Sequence, residues 1–429
     1  MKYFRDEFDT LINSNKNEND KLTMLRKKSF EVFMESGLPT SKWEDWRFTN
    51  FSSIKNGSFR LSSLKDFDGV PKVLPGRIPN THLVLIVNGR YQPDLSDVPK
   101  EITITSGAEH FKSYSEFYSL ESMQLNWSKG LNPFYTLNTS MMDSGLSLRV
   151  EDNAIISKPI QIIYLTTSTA NEIMNHPRFV FHAGSNSQAT LVEHYLGYMT
   201  NSYFNNPVTM IELDNNSFMN HIRIQEETGN SHHVANTFYK LNRESTLNVN
   251  SASFGSLLYR HNINLKFCGD NSSADYNALS LAKQKQHHDQ HIIVEHASDA
   301  CQSNQLFKYI LSDDSSGVFN GKVVVEEDTK RTNASQSNKN LVLSPSALMN
   351  ANPQLEIYAE DVKCSHGSTT GQIDPEALFY LKSRGLNHEK SMELIMNGFI
   401  SDIIELVKNE NVGDYLNEIA AQQLEKILI

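Results

Sequence analysis

The chain has 429 residues, with 39 Lys and Arg against 50 Asp and Glu; the net charge of −11 repels phosphate backbones and argues against nucleic acid as a principal partner. Hydrophobic residues make up 39%, and the shortfall against ordinary globular chains is filled by Asn, Ser and Thr rather than by charge, which points to polar turns and not to disorder. No apolar run of about 18 residues occurs, and the opening MKYFRDEFDT has no continuous apolar stretch, so neither a membrane span nor a secretory leader is expected and the cytoplasm is the expected location.

Residues 1–80 read as an N-terminal helical region. DKLTMLRKKSFEVFME, from Asp20 to Glu35, sets Leu22, Leu25, Phe30 and Phe33 at near-helical spacing, and Gly37 and Pro39 lie just beyond as a stop. SKWEDWRFTNFSSI follows, with Trp43, Trp46, Phe48 and Phe51 crowded together. Aromatic residues this dense bury area, so the expectation is a plug by which the helical region docks on the core.

Residues 81–371 change in texture. HLVLIVNG, LSLRVED, IQIIYLTT, RFVFHAG, VTMIELD, STLNVNSASF, HNINLKFCG and GKVVVEED are short, alternating and rich in β-branched residues, the marks of strands. Turn-forming clusters separate them at Gly184, Asp214, Asn242, Gly269, Ser298 and Ser312; the first four start 30, 28 and 27 residues apart. Near-regular spacing predicts a repetitive β architecture. A parallel β-helix is preferred over a pair of sandwiches because Asn, Ser and Gln recur at the corners, where stacked rungs can pair amides, and no Asn-Gly or Asp-Gly hairpin turn is prominent.

Residues 372–429 read as a C-terminal helical region. Asp374 caps a helix with Pro375 at its first position, ALFYLKS forms the body, and Arg384-Gly385 closes it. Asn387 caps a second helix through HEKSMELIMNGFISDIIELV, and VGDYLNEIAAQQLEKILI forms a third.

Candidate chemistry is sparse. The cysteines Cys268, Cys301 and Cys364 are too few and too scattered for a disulfide framework or a self-sufficient zinc or cluster site. QHHDQHIIVEHA holds His287, His288, His291 and His296; in a strand His287, Asp289 and His291 share one face while His288 points oppositely, and the expectation is a surface or corner row bonded to backbone rather than a metal centre. The remaining strand histidines, His176, His182, His194, His221, His232, His233 and His261, follow no common spacing. Paired carboxylates suited to sugar chemistry are missing, as are a phosphate loop, a GxSxG elbow and a dinucleotide fingerprint. What remains is Cys364-Ser365-His366: positions two apart in an extended segment share a face, so thiolate and imidazole can address one iron. Two ligands cannot close a tetrahedral site, so a functional version needs a second chain. On spacing alone, a small buried Cys and a His capping the chain's exit from the core is the favoured reading of the pair.

FNGKVVVEEDTKRTNASQSNKNLVLSPSA, from Phe319, and PQLEIYAEDVKCSHGSTTGQIDPEALFYLKSRGL, from Pro353, resemble the SufB/SufD family of iron-sulfur cluster assembly proteins, as do HDQHIIVEHAS, CQSNQLFKYIL and the N-terminal KWEDWRFTN. The resemblance is dense from Gln286 to Ile400, and Cys364-Ser365-His366-Gly367 follows the SufD pattern rather than that of its paralogue SufB. It implies a mainly β fold, a right-handed parallel β-helix flanked by N- and C-terminal helical regions. It further implies a noncatalytic scaffold that pairs with SufB through the β-helix ends and binds the ATPase SufC through the C-terminal helices. His366, with Cys364 beside it, would meet a transient iron-sulfur cluster or iron at the SufB contact, no cofactor being bound by the chain alone. Phe379, Tyr380 and Arg384, through to Phe399, would carry or support ATPase docking. Without its partners the chain would self-pair as a homodimer. A carbohydrate-active β-helix enzyme and a homo-oligomeric structural protein are the alternatives.

Overall fold

The computed structural model describes residues 1–14, 20–63, 71–113, 132–142, 145–168, 172–199 and 202–428. Long strands alternate between two sheets, so that each rung pairs not with its sequence neighbour but with the strand one turn on. Gln188–Tyr198, Phe218–Glu226, Thr246–Ser253, Ser273–Ala282, Gln302–Leu311, Thr332–Val342 and Val362–Gly371 run parallel in the ten-stranded sheet. His232–Leu241, Leu258–Phe267, His287–His296, Ser316–Val325 and Leu348–Ile357 run parallel in the twelve-stranded one. The result is a β-solenoid of about seven turns with helices at both termini, the parallel β-helix that the turn spacing predicts.

The corners explain that spacing. Asn153, Asn186, Asn216, Glu244 and Asn271 each sit at φ between 57° and 63° at the same corner of successive turns. Asn is among the few side chains that enter this left-handed region readily. The amides also stack as expected, Asn216 Nδ2 donating to Asn186 Oδ1 (2.8 Å) and Asn186 Nδ2 to Asn153 Oδ1 (3.0 Å). Clusters at Gly184, Asp214, Asn242, Gly269 and Ser298 line this corner, whereas Ser312 begins the return on the opposite edge.

Period-two alternation splits each strand between lumen and outer face. Inward side chains form the main core, with Tyr164 stacked on Tyr195 at 4.4 Å and Phe307 against Phe319 at 4.6 Å between ring centroids. The lumen is nonetheless polar along part of its length. Buried Glu193 accepts from Tyr164, Tyr195, Thr209 and His221, and buried Arg223 donates to Tyr259 and pairs with His233, itself 2.6 Å from Glu227. Strands whose inward positions are polar or small, such as His232–Leu241 with His233, Thr237 and Tyr239, and Ser273–Ala282 with alanines, Tyr276 and Ser280, lack the apolar alternation that makes their neighbours readable in the sequence.

Helices cover both outer faces. Helix α1 (Lys2–Ser14), α2 (Asp20–Ser36) and α3 (Ser52–Asn56) join α5 (Pro133–Met141) to seat Phe4, Phe8, Phe30, Phe33, Trp46 and Phe51 against Val234 and Leu258 of the twelve-stranded sheet; α4 (Gly107–Ser113) lies beside the first rung. Gly37, at φ 68°, ends α2 as the sequence predicts. The aromatic plug is real, with one exception: Phe48 is exposed, stacked under Arg47 at 5.6 Å. The lock beneath the plug is ionic. Arg260 pairs with Asp289, lies 4.2 Å from the Trp46 ring and donates to the Asp45 carbonyl, while Thr49 bonds Asp289 and His287.

On the other face, α7 (His388–Ile404) and α8 (Glu410–Leu428), preceded by α6 (Pro375–Ser383), lay Met396, Ile400, Ile403, Val412, Leu416 and Leu424 across Val192, Ile222, Ala252, Leu279, Ile310 and Leu341. Each such Val, Leu, Ile or Met side chain contributes roughly 1.5–3 kcal/mol on burial. The caps are those expected: Asp374 accepts from Glu376 N, Asn387 from Lys390 N, and Gly385 stands at φ 93°.

Candidate functional site

The two ends of the solenoid differ. The first rung is closed by antiparallel strands, Arg90–Tyr91 on His82–Val87 and Ile102–Ser106 on Gly145–Val150. The last is not. Among the described residues, Val362–Gly371 pairs only with Thr332–Val342, and Leu348–Ile357 only with Ser316–Val325. Both edge strands leave a row of backbone groups without a strand partner. The row on Leu348–Ile357 is interrupted, since Pro353 has no N–H to give.

Cys364 and His366 lie on Val362–Gly371, opposite Ala334 and Gln336 in register. Ala334 belongs to the lumenal core and Cys364 packs against it, so the same alternation directs His366 to the lumenal side of the rim. The pair therefore shares one face, as the spacing requires. Cys364 is half-buried and His366 exposed, and burial raises the Cys364 thiol above its ordinary value. Beyond them Ser368 donates to Asn338 Oδ1 (2.9 Å), and Thr370 accepts from Asn340 (3.0 Å), so small polar residues finish the last rung. Among the described residues no group of three or more His, Cys, Asp and Glu side chains converges to hold a metal.

The residues expected to dock an ATPase divide into two environments. Phe379 (74% exposed) and Tyr380 (56%) stand out from α6, none of whose residues is buried. Arg384 stacks on Tyr380 at 5.1 Å and donates to its hydroxyl. Phe399 sits apart, half-buried on α7, where the Lys308 ammonium lies 4.7 Å over its ring and donates to its carbonyl.

These features invite comparison with known chains. A model of the SUF system FeS cluster assembly SufBD core domain matches residues 165–399, and one of the SufBD protein N-terminal region matches 1–162. The chain belongs to the SufBD family. Among its relatives, an iron-sulfur cluster assembly SufBD family protein of Synechocystis is 32% identical over 388 residues, 86% of this chain and 84% of that one. Iron-sulfur cluster assembly protein SufD of Escherichia coli is 30% identical over 92% of this chain and 91% of its own length. SufD of Bacillus subtilis is 25% identical over 92% of both. Membership makes this an iron-sulfur cluster assembly protein of the SUF system. No helix among the described residues is long and apolar enough to cross a membrane.

Within this SufBD chain the histidine row departs from the surface or corner row expected. His288 is fully buried in the lumen, bonded to the Gly255 carbonyl and Ser280 Oγ, and burial lowers it to about 3. His287 and His291 lie beneath the N-terminal plug beside Asp289 and Arg260, and burial depresses both. The N-terminal region covers the face that a single strand, read alone, leaves open. The strand histidines His176, His194, His221, His232, His233 and His261 are buried as well. Sequence reasoning also passed over Gln336, one rung below His366; its place follows from the register and from nothing local.

Proposed function

We propose that this chain is a noncatalytic scaffold subunit of the SUF machinery, working in the cytoplasm, that pairs with SufB and binds the ATPase SufC. One observation carries the reading: the last rung is paired on one side only and holds Cys364 and His366 together at its rim. An edge strand is a ready template for a partner's strand. A partner adding its strand there would bring further ligands to a set that two side chains cannot complete. His366 is the principal residue toward the nascent cluster or iron, which is cargo passing through the contact, and Cys364 is its neighbour.

The chain's sequence has no phosphate loop, so nucleotide hydrolysis belongs to another subunit. The exposed Phe379, Tyr380 and Arg384 on α6 suit the docking of that subunit, and Phe399 supports them by anchoring α7 to Lys308. Without SufB the same open edge suits a second copy of the chain, giving a homodimer.

Co-expression with SufB and SufC should yield a stable complex. His366→Ala should reduce cluster formation by that complex without changing its composition, and Phe379→Ala with Tyr380→Ala should release SufC while leaving SufB bound. Normal cluster formation by the His366 variant removes the proposed role of the rim.

A further inference from the structure

The inward face of the ten-stranded sheet sets Tyr276, Gln305, Gln336 and His366 in one column, each opposite the next in parallel register. Gln305 and Gln336 are both 3% exposed. Gln336 Nε2 donates to Gln305 Oε1 at 3.0 Å, which commits the amide nitrogen to the rung below. Its Oε1 is buried and has no hydrogen-bond partner, and neither has Gln305 Nε2. Gln336 thus keeps a buried carbonyl acceptor without a donor, on a strand whose other neighbour carries His366. Across the lumen the amide lies close against Gly321, where a Cβ would stand 2.2 Å from Gln336 Nε2 and 2.7 Å from its Cδ. The glycine is what admits the carboxamide there.

A buried acceptor without a donor costs roughly 1–3 kcal/mol. The group directly opposite Gln336 on the neighbouring rung is the imidazole of His366, whose exposed side chain is free to turn. A neutral imidazole has one N–H and one lone pair, and whichever nitrogen donates leaves the other as the ligand atom. Groups that bond the far nitrogen of a ligating histidine set its tautomer and orientation, and losing them typically costs 10–100-fold in metal affinity or activity.

We propose that Gln336 is a positioning residue for His366: Gln336 Oε1 accepts the ring N–H of His366, fixing a single tautomer and leaving the second ring nitrogen as a lone pair at the rim. This rests on the reading of His366 as the residue that meets the cluster cargo, and gives that residue a defined donor atom.

The test is nitrogen NMR of the full-length chain labelled with 15N-histidine, recorded in alkaline buffer, with His366→Asn assigning the resonance. The expected wild-type spectrum shows one tautomer. Gln336→Met should return the ring to the mixture of free imidazole and reduce cluster formation by the assembled complex about tenfold. Gln336→Glu can only accept; with the Gln305 amide turned so that its unpartnered Nε2 donates to the carboxylate, the variant should keep the wild-type tautomer and restore assembly. A wild-type ring already in the free-imidazole mixture, nitrogen shifts unmoved by Gln336→Met, or a reversed tautomer in Gln336→Glu overturns the inference. Circular dichroism of each variant reports folding separately. If His366→Ala assembles clusters normally, the functional reading fails, while the nitrogen shifts still decide the role of Gln336.

Discussion

Replacing Asp289 by Ala tests how the N-terminal region is held. Asp289 is 1% exposed and Arg260, its partner, fully buried. Burial alone would raise the Asp289 carboxyl; the Arg260 charge, then His291, His287 and the Thr49 hydroxyl, overcome it and hold it below the ordinary value. Removing the carboxylate leaves a guanidinium in the dry seam under Trp46, still bonded to Asn262 Oδ1 (2.7 Å) and the Asp45 carbonyl (3.0 Å) but uncompensated in charge. Breaking a buried pair in this way costs about 3–5 kcal/mol. At about 1.4 kcal/mol per tenfold, that is a rise of about 10² to several times 10³ in the open population of the plug. Trp46 reports it directly: the urea midpoint by tryptophan fluorescence should fall, and protease should cut within the segment 40–55 before the solenoid. Arg260→Met combined with Asp289→Leu removes both charges and should recover most of the loss. A single variant costing under about 1 kcal/mol, or a double variant as weak as the single, refutes the account.

Glu193 governs acid stability. Burial would raise its carboxyl, but the His221 hydrogen bond, the His221 and Arg223 charges and the Thr209 hydroxyl bring it from 4.5 down to about 2. A carboxylate depressed on folding stabilises above its unfolded pKa and loses that contribution as pH falls toward its folded one. Urea midpoints should therefore drop between pH 4.5 and 2 by an amount equivalent to roughly 3 kcal/mol, and Glu193→Gln should flatten that slope while lowering stability at neutral pH. Gly255→Ala would place a Cβ 2.1 Å from the Glu227 carbonyl oxygen and 2.6 Å from its nitrogen, backbone atoms of the adjoining turn; thermal melting should show a loss of about 1–3 kcal/mol. Cys364 should be alkylated by iodoacetamide in the isolated chain, slowly because burial raises its thiol, and at least tenfold more slowly once a partner strand covers the rim. Unchanged labelling in the complex would place the contact elsewhere.

The solenoid was readable because its constraints are local and recur: turn clusters every 27 to 30 residues, β-branched alternation, and Asn at a corner that needs positive φ. The C-terminal helices were readable for the same reason, with Asp374, Pro375, Gly385 and Asn387 each marking an end. Strands whose inward positions are polar, such as His232–Leu241, escaped the apolar pattern because groups on other strands satisfy them, Arg223 and Glu227 bonding His233 and His221 bonding Tyr239. The buried Pro133–Met141 helix escaped too, its Asn132 cap and Pro133 hidden in a stretch whose strand texture dominates. At the rim, the i, i+2 relation of Cys364 and His366 is a property of one strand and could be read directly. The Gln336 amide, some thirty positions earlier in the chain, touches the same site only through register. The burial of His287 and His291 likewise depends on a segment more than two hundred residues away.

The helices laid over the ten-stranded sheet have a mechanical consequence. In a stack of rungs each turn meets only its neighbours, so disorder starting at the unfinished end can travel inward one step at a time. Helices α7 and α8 span six successive strands through Val192, Ile222, Ala252, Leu279, Ile310 and Leu341, and Lys308, Glu226 and Lys283 tie them down along that span. They act as a lengthwise splint. Fraying is thereby made to cost several turns at once, and a pull on this pair of helices is delivered along the flank of the stack, shared among its turns.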